Sequence, residues 1–220
     1  MPLLFNMDKL GLNVPEIPKI KNLLFDLGGV IVDVDLDLSV SAFKDLGFGN
    51  FEDIFTQIKQ TSLFELFETG RIPAQTFRNE LRKYKNHVSD SQIDAAWNAM
   101  LGPVPPVYIE LISNLRKNYK TFLLSNTNII HIDFLFDRLR GLYGENTMEQ
   151  MFEHMYLSYE IGLRKPNPES YQFVLDNAGI VACETIFIDD LLSNITAAKN
   201  MGIWAYHLSN ETLLDLFVNS

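Results

Sequence analysis

Short apolar runs that end in polar residues recur along the chain, and each is followed by a stretch with helical spacing. Leu23-Leu24-Phe25-Asp26 is the first and Thr121-Phe122-Leu123-Leu124-Ser125-Asn126 the second. Met155-Tyr156-Leu157-Ser158 is a weaker third, Thr185-Ile186-Phe187-Ile188-Asp189-Asp190 the fourth and Ile203-Trp204-Ala205-Tyr206 the fifth. Continuous apolar runs suit strands buried on both faces, as in a parallel sheet. Helix-length stretches at 108–118, 129–139, 169–177 and 194–200 lie between them, and Gly179 and Gly202 stand where the last two should stop. Strand alternating with helix predicts an open α/β sheet with crossover helices.

The spacing is uneven. Asp26 and Ser125 are 99 positions apart, far more than one strand–helix–strand crossover needs. Stretches 51–59, 62–68, 74–84 and 91–100 carry apolar residues three and four apart. Pro103, Pro105 and Pro106 then break the chain. The expected organisation is therefore a Rossmann-like parallel-sheet core at 19–37 and 105–220, with a helical cap at 38–104 inserted after the first strand. Residues 1–18 read as an N-terminal extension. An insert leaving the carboxyl edge of the sheet suits a lid over a ligand site; a helical scaffold layer packed elsewhere is the plainer alternative.

Composition narrows the function classes. The 220 residues are 47% hydrophobic and 21% charged, an ordinary globular balance. The formal net charge of −10 argues against nucleic acid as a partner, because that average field repels a polyanion. No apolar run approaches the roughly 18 residues of a membrane span, and the N-terminus lacks the pattern of a signal peptide. One cysteine, Cys183, cannot form an internal disulfide, which fits a reducing, cytoplasmic setting. Its position before a strand suggests burial.

Four polar clusters end separate strands or follow them: Asp26 with Gly28 and Gly29, Ser125-Asn126-Thr127-Asn128, Arg164-Lys165-Pro166 and Asp189-Asp190. A parallel sheet brings all four to one edge. Carboxylates, hydroxyls and a lysine gathered there suit a hard cation beside a phosphoryl group, since magnesium prefers oxygen ligands and leaves room for substrate phosphate. Each residue also has a plainer role: Asp26 in a turn, Ser125 as an N-cap, Lys165 on the surface, Asp189-Asp190 capping a helix. Asp33, Asp35 and Asp37 read as a solvated acidic face. The four histidines show no metal-ligand spacing. Phe64 and Phe67 fit the interior of the cap.

The ordered set Phe25-Asp26-Leu27-Gly28-Gly29-Val30, Leu123-Leu124-Ser125-Asn126-Thr127-Asn128, Arg164-Lys165-Pro166 and Phe187-Ile188-Asp189-Asp190, with Asn194 after it, resembles the haloacid dehalogenase-like hydrolase superfamily over residues 23–208. Glu68-Thr69-Gly70-Arg71-Ile72 and the Ser-Asn-Thr-Asn segment look closest to its glucose-1-phosphate phosphatase-like branch, and more distantly to the phosphatase domain of soluble epoxide hydrolases. The resemblance implies a phosphatase acting on a small phosphorylated metabolite, sugar phosphates included. Asp26 would be the nucleophile that becomes an aspartyl-phosphate. Mg2+ would be held by Asp26, the Gly28 carbonyl and Asp190, with Asp189 direct or through water. Ser125 and the Asn126 N–H would bind phosphoryl oxygens, which Lys165 would neutralise while orienting Asp26. One departure stands out: the second aspartate usual two residues after the nucleophile is Gly28 here, as in the glucose-1-phosphate phosphatase branch. Asp33, Asp35 and His131 are the candidates for the acid it would have supplied. That departure keeps two alternatives open, a haloacid dehalogenase and a non-catalytic phosphometabolite binder.

Overall fold

The computed structural model describes residues 3–10, 19–49, 51, 56 and 62–219. Strand β1 (Leu3–Phe5) pairs antiparallel with β7 (Phe217–Asn219) in a separate two-stranded ribbon. The main sheet comprises β2 (Asn22–Phe25), β3 (Lys120–Ser125), β4 (His154–Leu157), β5 (Thr185–Asp189) and β6 (Trp204–His207). All its pairings are parallel, in the order β4-β3-β2-β5-β6, with β2 central.

The apolar runs are continuous because alternate residues feed two cores. Leu23, Phe25, Leu123, Ile186 and Ile188 face one cluster, whereas Leu24, Phe122, Leu124 and Phe187 face the other. Burying a side chain of this size contributes roughly 1.5–3 kcal/mol. Strand ends differ from the expected runs by a residue: Asp26 lies just beyond β2, and β6 extends to His207.

Helices α1 (Leu36–Asp45), α2 (Leu63–Glu68), α3 (Ala74–Arg82) and α4 (Asp90–Asn98) lie between β2 and β3 and form a cap insertion. They share a hydrophobic cluster built on Phe43, Phe67, Phe77, Ile93 and Trp97. The spacing missed α1, which opens at the Asp35 N-cap, whose side chain accepts from the Asp37 N–H at 3.0 Å. Ser89 and Gln92 form a capping box at the start of α4. The helix expected at 51–59 lies outside the described residues except for Phe51 and Thr56.

Helix α5 (Pro106–Leu115) begins at the prolines that the sequence suggested as breakers. Proline fits the first helical turn, where its missing N–H costs nothing. Helices α5 and α6 (Ile129–Tyr143) cover one face of the sheet. After the short α7 (Thr147–Met151) and α8 (Ser158–Ile161), α9 (Pro168–Ala178) and α10 (Leu192–Asn200) cover the other. Gly179, in the left-handed region at φ 61°, closes α9 as its position suggested. Cys183 corrects an expectation: it is exposed, in the surface turn Ala182–Glu184 at the foot of β5.

Candidate active site

The parallel register brings the ends of β2 and β5 together. Phe25 pairs with Ile188, and the Asp26 N–H donates to the Ile188 carbonyl at 2.9 Å. Asp26 therefore stands beside Asp189 and Asp190, and the three carboxylates offer oxygens within 4.8 Å of one another. Lys165 enters from the loop after α8. Its ammonium donates to Asp189 Oδ2 at 2.7 Å and pairs with Asp26 Oδ1 at 2.7 Å. This lysine is 1% exposed. Its Nζ also lies 5.3 Å from the centre of the Phe187 ring.

The lysine is held from both sides of its peptide. Asn126 Nδ2 donates to the Lys165 carbonyl, and the Lys165 N–H donates to Asn126 Oδ1, each at 2.8 Å. Asn126 thus ties the end of β3 to the lysine loop through its side chain, which strand spacing alone did not reveal. Ser125, at the end of β3, is buried beside it. Ser125 is not the N-cap of α6; that residue is Asn128, whose Oδ1 accepts from the His131 N–H at 3.1 Å.

Asp189 is fully engaged. Its Oδ1 accepts from the Leu191 N–H at 2.8 Å, and Asn194 Nδ2 donates to Oδ1 at 2.9 Å and to Oδ2 at 3.0 Å. Asn194 was noticed in the sequence only as a residue following the aspartate pair. With the lysine added, Asp189 is occupied by protein donors, and Asp26 and Asp190 are the carboxylates better placed to accept an ion. The turn after β2 fits this arrangement. Gly29 adopts φ 72°, and a Cβ there would collide with the Asp190 carboxylate. The loop can approach that close only with glycine.

Charge balance points the same way. Three carboxylates face one ammonium, which leaves two negative charges for a divalent cation to offset. Burial pushes the Asp26 carboxyl up to about 7 against the pull of Lys165, and neighbouring Asp189 adds to the rise. Burial likewise raises Asp190, with Asp189 reinforcing it. Burial opposes ionisation of Asp189 too, but the charge and hydrogen bond of Lys165 hold it below the usual carboxylate range. The all-oxygen donor set suits a hard ion such as Mg2+.

A cavity of about 550 Å³ lies between this edge and the cap. It reaches Leu27, Gly28, Ser125 and Asn126, which flank Asp26. The candidate acids do not replace the missing aspartate well. Asp33 and Asp35 are exposed on the turn leading to α1. His131 lines the cavity, but burial pushes its ring down to about 3, so at physiological pH it is a neutral imidazole with one weakly acidic N–H rather than an imidazolium acid. Its Nδ1 lies 2.8 Å from Asn98 Oδ1. Phe64 packs against the cap cluster as expected and lines the cavity as well.

Comparison with known proteins follows the same outline. The family model for haloacid dehalogenase-like hydrolases matches residues 20–202. The chain is 33% identical over 192 residues to D-ribitol-5-phosphate phosphatase of Bacteroides thetaiotaomicron, covering 87% of this chain and 93% of that protein. It is 31% identical over 195 residues to the sesquiterpene phosphatase astK of Aspergillus oryzae, covering 87% and 91%. A HAD family enzyme of Bacteroides thetaiotaomicron, solved in complex with magnesium and inorganic phosphate, superposes with TM-score 0.83 at 40% identity, covering 90% of this chain and 98% of that one.

Proposed function

Since the chain belongs to the haloacid dehalogenase-like hydrolase family, we propose that it is a magnesium-dependent phosphatase of small phosphorylated metabolites and works through an aspartyl-phosphate on Asp26. The observation that carries this reading is Lys165, buried at 2.7 Å from both Asp26 and Asp189 with Asp190 alongside. Asp26 attacks phosphorus, the alcohol departs, and water then cleaves the aspartyl-phosphate. Asp26, Asp190 and the Gly28 carbonyl would hold Mg2+, while Asp189, engaged by Lys165, Asn194 and Leu191, keeps the lysine in place. When bound, the ion offsets the charge that accumulates on the phosphoryl oxygens. Ser125 and the Asn126 N–H receive those oxygens, and Lys165 neutralises them and orients Asp26.

Gly28 carries no acid to protonate the departing alcohol, and His131 is neutral rather than an imidazolium. A positioned acid is typically worth about 10²–10⁴ in rate, so leaving groups that depart easily are favoured. The relatives' names span a polyol phosphate and a terpenoid phosphate. They support phosphate monoester hydrolysis, and the glucose-1-phosphate phosphatase-like likeness adds sugar phosphates to the candidate substrates.

A metabolite-panel assay of the purified chain, with Mg2+ and with EDTA, tests this reading. The expected result is phosphate release that EDTA stops and that Asp26→Asn lowers by at least about a thousandfold. Halide release that persists in EDTA would identify a dehalogenase instead. Ligand-induced thermal stabilisation without turnover in either form would identify a binding protein.

A further inference from the structure

The cavity beyond Asp26 is large and mostly apolar. At about 550 Å³ it equals the liquid volume of about 18 waters at roughly 30 Å³ each. Val34 and Leu36 line it from the turn after β2, Phe64 and Trp97 from the cap, and Ile132 and Leu135 from α6. Trp97 is the centre of a stack, 5.4 Å from Phe64 at 4° and 5.1 Å from the His131 ring at 11°. Val34 and Leu36 are 47% and 40% exposed, which leaves apolar surface at the mouth for a ligand to cover.

The polar members of the lining do not form a hydroxyl-binding set. Glu68 Oε2 lies 3.0 Å from Arg164 Nη2, an ion pair that joins the cap to the lysine loop, and although it makes no hydrogen bond it is itself sealed from solvent. Trp97 Nε1 and Arg164 Nε are sealed from solvent, so a ligand reaches neither without the wall rearranging. Ser62 and Glu65 are exposed and lie toward the rim. A polyol entering this space would give up water around each hydroxyl for few partners, a net loss. An apolar body gains from every part of the wall.

Resting on the phosphatase reading above, we propose that this cavity receives the alcohol portion of the substrate and that this portion is apolar. The preferred substrate is then the monophosphate of an isoprenoid or aromatic alcohol rather than of a polyol.

The test compares kcat/KM with Mg2+ for farnesyl phosphate below its micellar concentration, phenyl phosphate, D-ribitol 5-phosphate and glucose 1-phosphate. Acetyl phosphate, which has almost no body to fill the cavity, reports turnover by itself. The expected result is at least about a tenfold preference for farnesyl phosphate over both polar phosphates, with phenyl phosphate, whose phenol also departs more easily, compared through KM alone. Val34→Asn and Leu36→Asn should narrow that preference mainly through KM, and both sites are exposed enough for the fold to accept them. Equal or better turnover of the polar phosphates overturns the apolar assignment and leaves the phosphatase reading intact. Absence of turnover on every compound, acetyl phosphate included, counts against the phosphatase reading. In that case the unsubstituted protein with Mg2+ decides the cavity's preference by binding: tighter farnesyl phosphate supports it, and tighter ribitol 5-phosphate overturns it.

Discussion

Among single side chains, Lys165 balances the buried charge. Taken alone a lysine in an Arg-Lys-Pro segment reads as a surface residue, and only its place in the ordered set assigned it to the site; its ammonium sits between Asp26 and Asp189 at 2.7 Å from each. Replacing it with methionine keeps much of the volume and strands two carboxylates. Breaking a buried pair from one side costs about 3–5 kcal/mol. Lys165→Met should therefore lower the unfolding free energy of the metal-free protein by about 3 kcal/mol or more in urea denaturation. A loss below about 1 kcal/mol, the range of an exposed pair, would mean that the ammonium does not balance those charges. The sequence revealed Asp26, Asp189, Asp190 and Lys165 because each ends a strand or follows one in a fixed order. It did not reveal the bracing by Asn194 and the Asn126 side chain. Those bonds join residues far apart in the chain, and an asparagine's partner depends on packing that periodicity does not encode. Cys183 was misplaced for a related reason: apolar type and position in the chain do not tell whether a residue faces the core or solvent.

Elements were legible where burial was complete. The central strands β2, β3 and β5 announced themselves because both faces are covered, and the boundaries of all five strands lay close to the expected ones. Short elements were not. Helices α7 and α8 have five and four residues, too few for a helical period to show. The ribbon of β1 and β7 is three residues on each side, and its partners stand at opposite ends of the chain. It turns part of the expected N-terminal extension into structure. Phe5 is 3% exposed and meets the rings of Tyr206 and Phe217 edge-on at 6.2 and 5.6 Å. Truncating a buried phenylalanine costs about 3–5 kcal/mol, so Phe5→Ala should show a loss of that size in chemical denaturation. A loss under about 1 kcal/mol would mean that the ribbon contributes little to the fold.

For the whole molecule, a net charge of −10 and the anionic substrate proposed above are compatible because the two act at different ranges. Surface charge is screened over about 8 Å at physiological salt, whereas the buried ammonium and a bound cation act within a few ångströms of the phosphoryl group. The α/β architecture and the inserted cap were legible from strand spacing and insert length. A lid at the carboxyl edge was expected from the same insert; which side chains line the space beneath it was not legible, because that depends on long-range contacts such as those of the turn after β2, where the Asp35 N–H donates to the Met100 carbonyl and the Gly102 N–H to the Asp33 carbonyl, at 2.9 and 2.8 Å. Among the described residues no helix is long and apolar enough to cross a membrane. The most direct check on the central claim is a crystal structure of the protein grown with Mg2+ and orthophosphate. The account predicts one ion on the carboxylates of Asp26 and Asp190 and the Gly28 carbonyl, with phosphate oxygens against Lys165 and Ser125. An ion bound away from Asp26 and Asp190, or a phosphate lodged apart from Lys165, would contradict it.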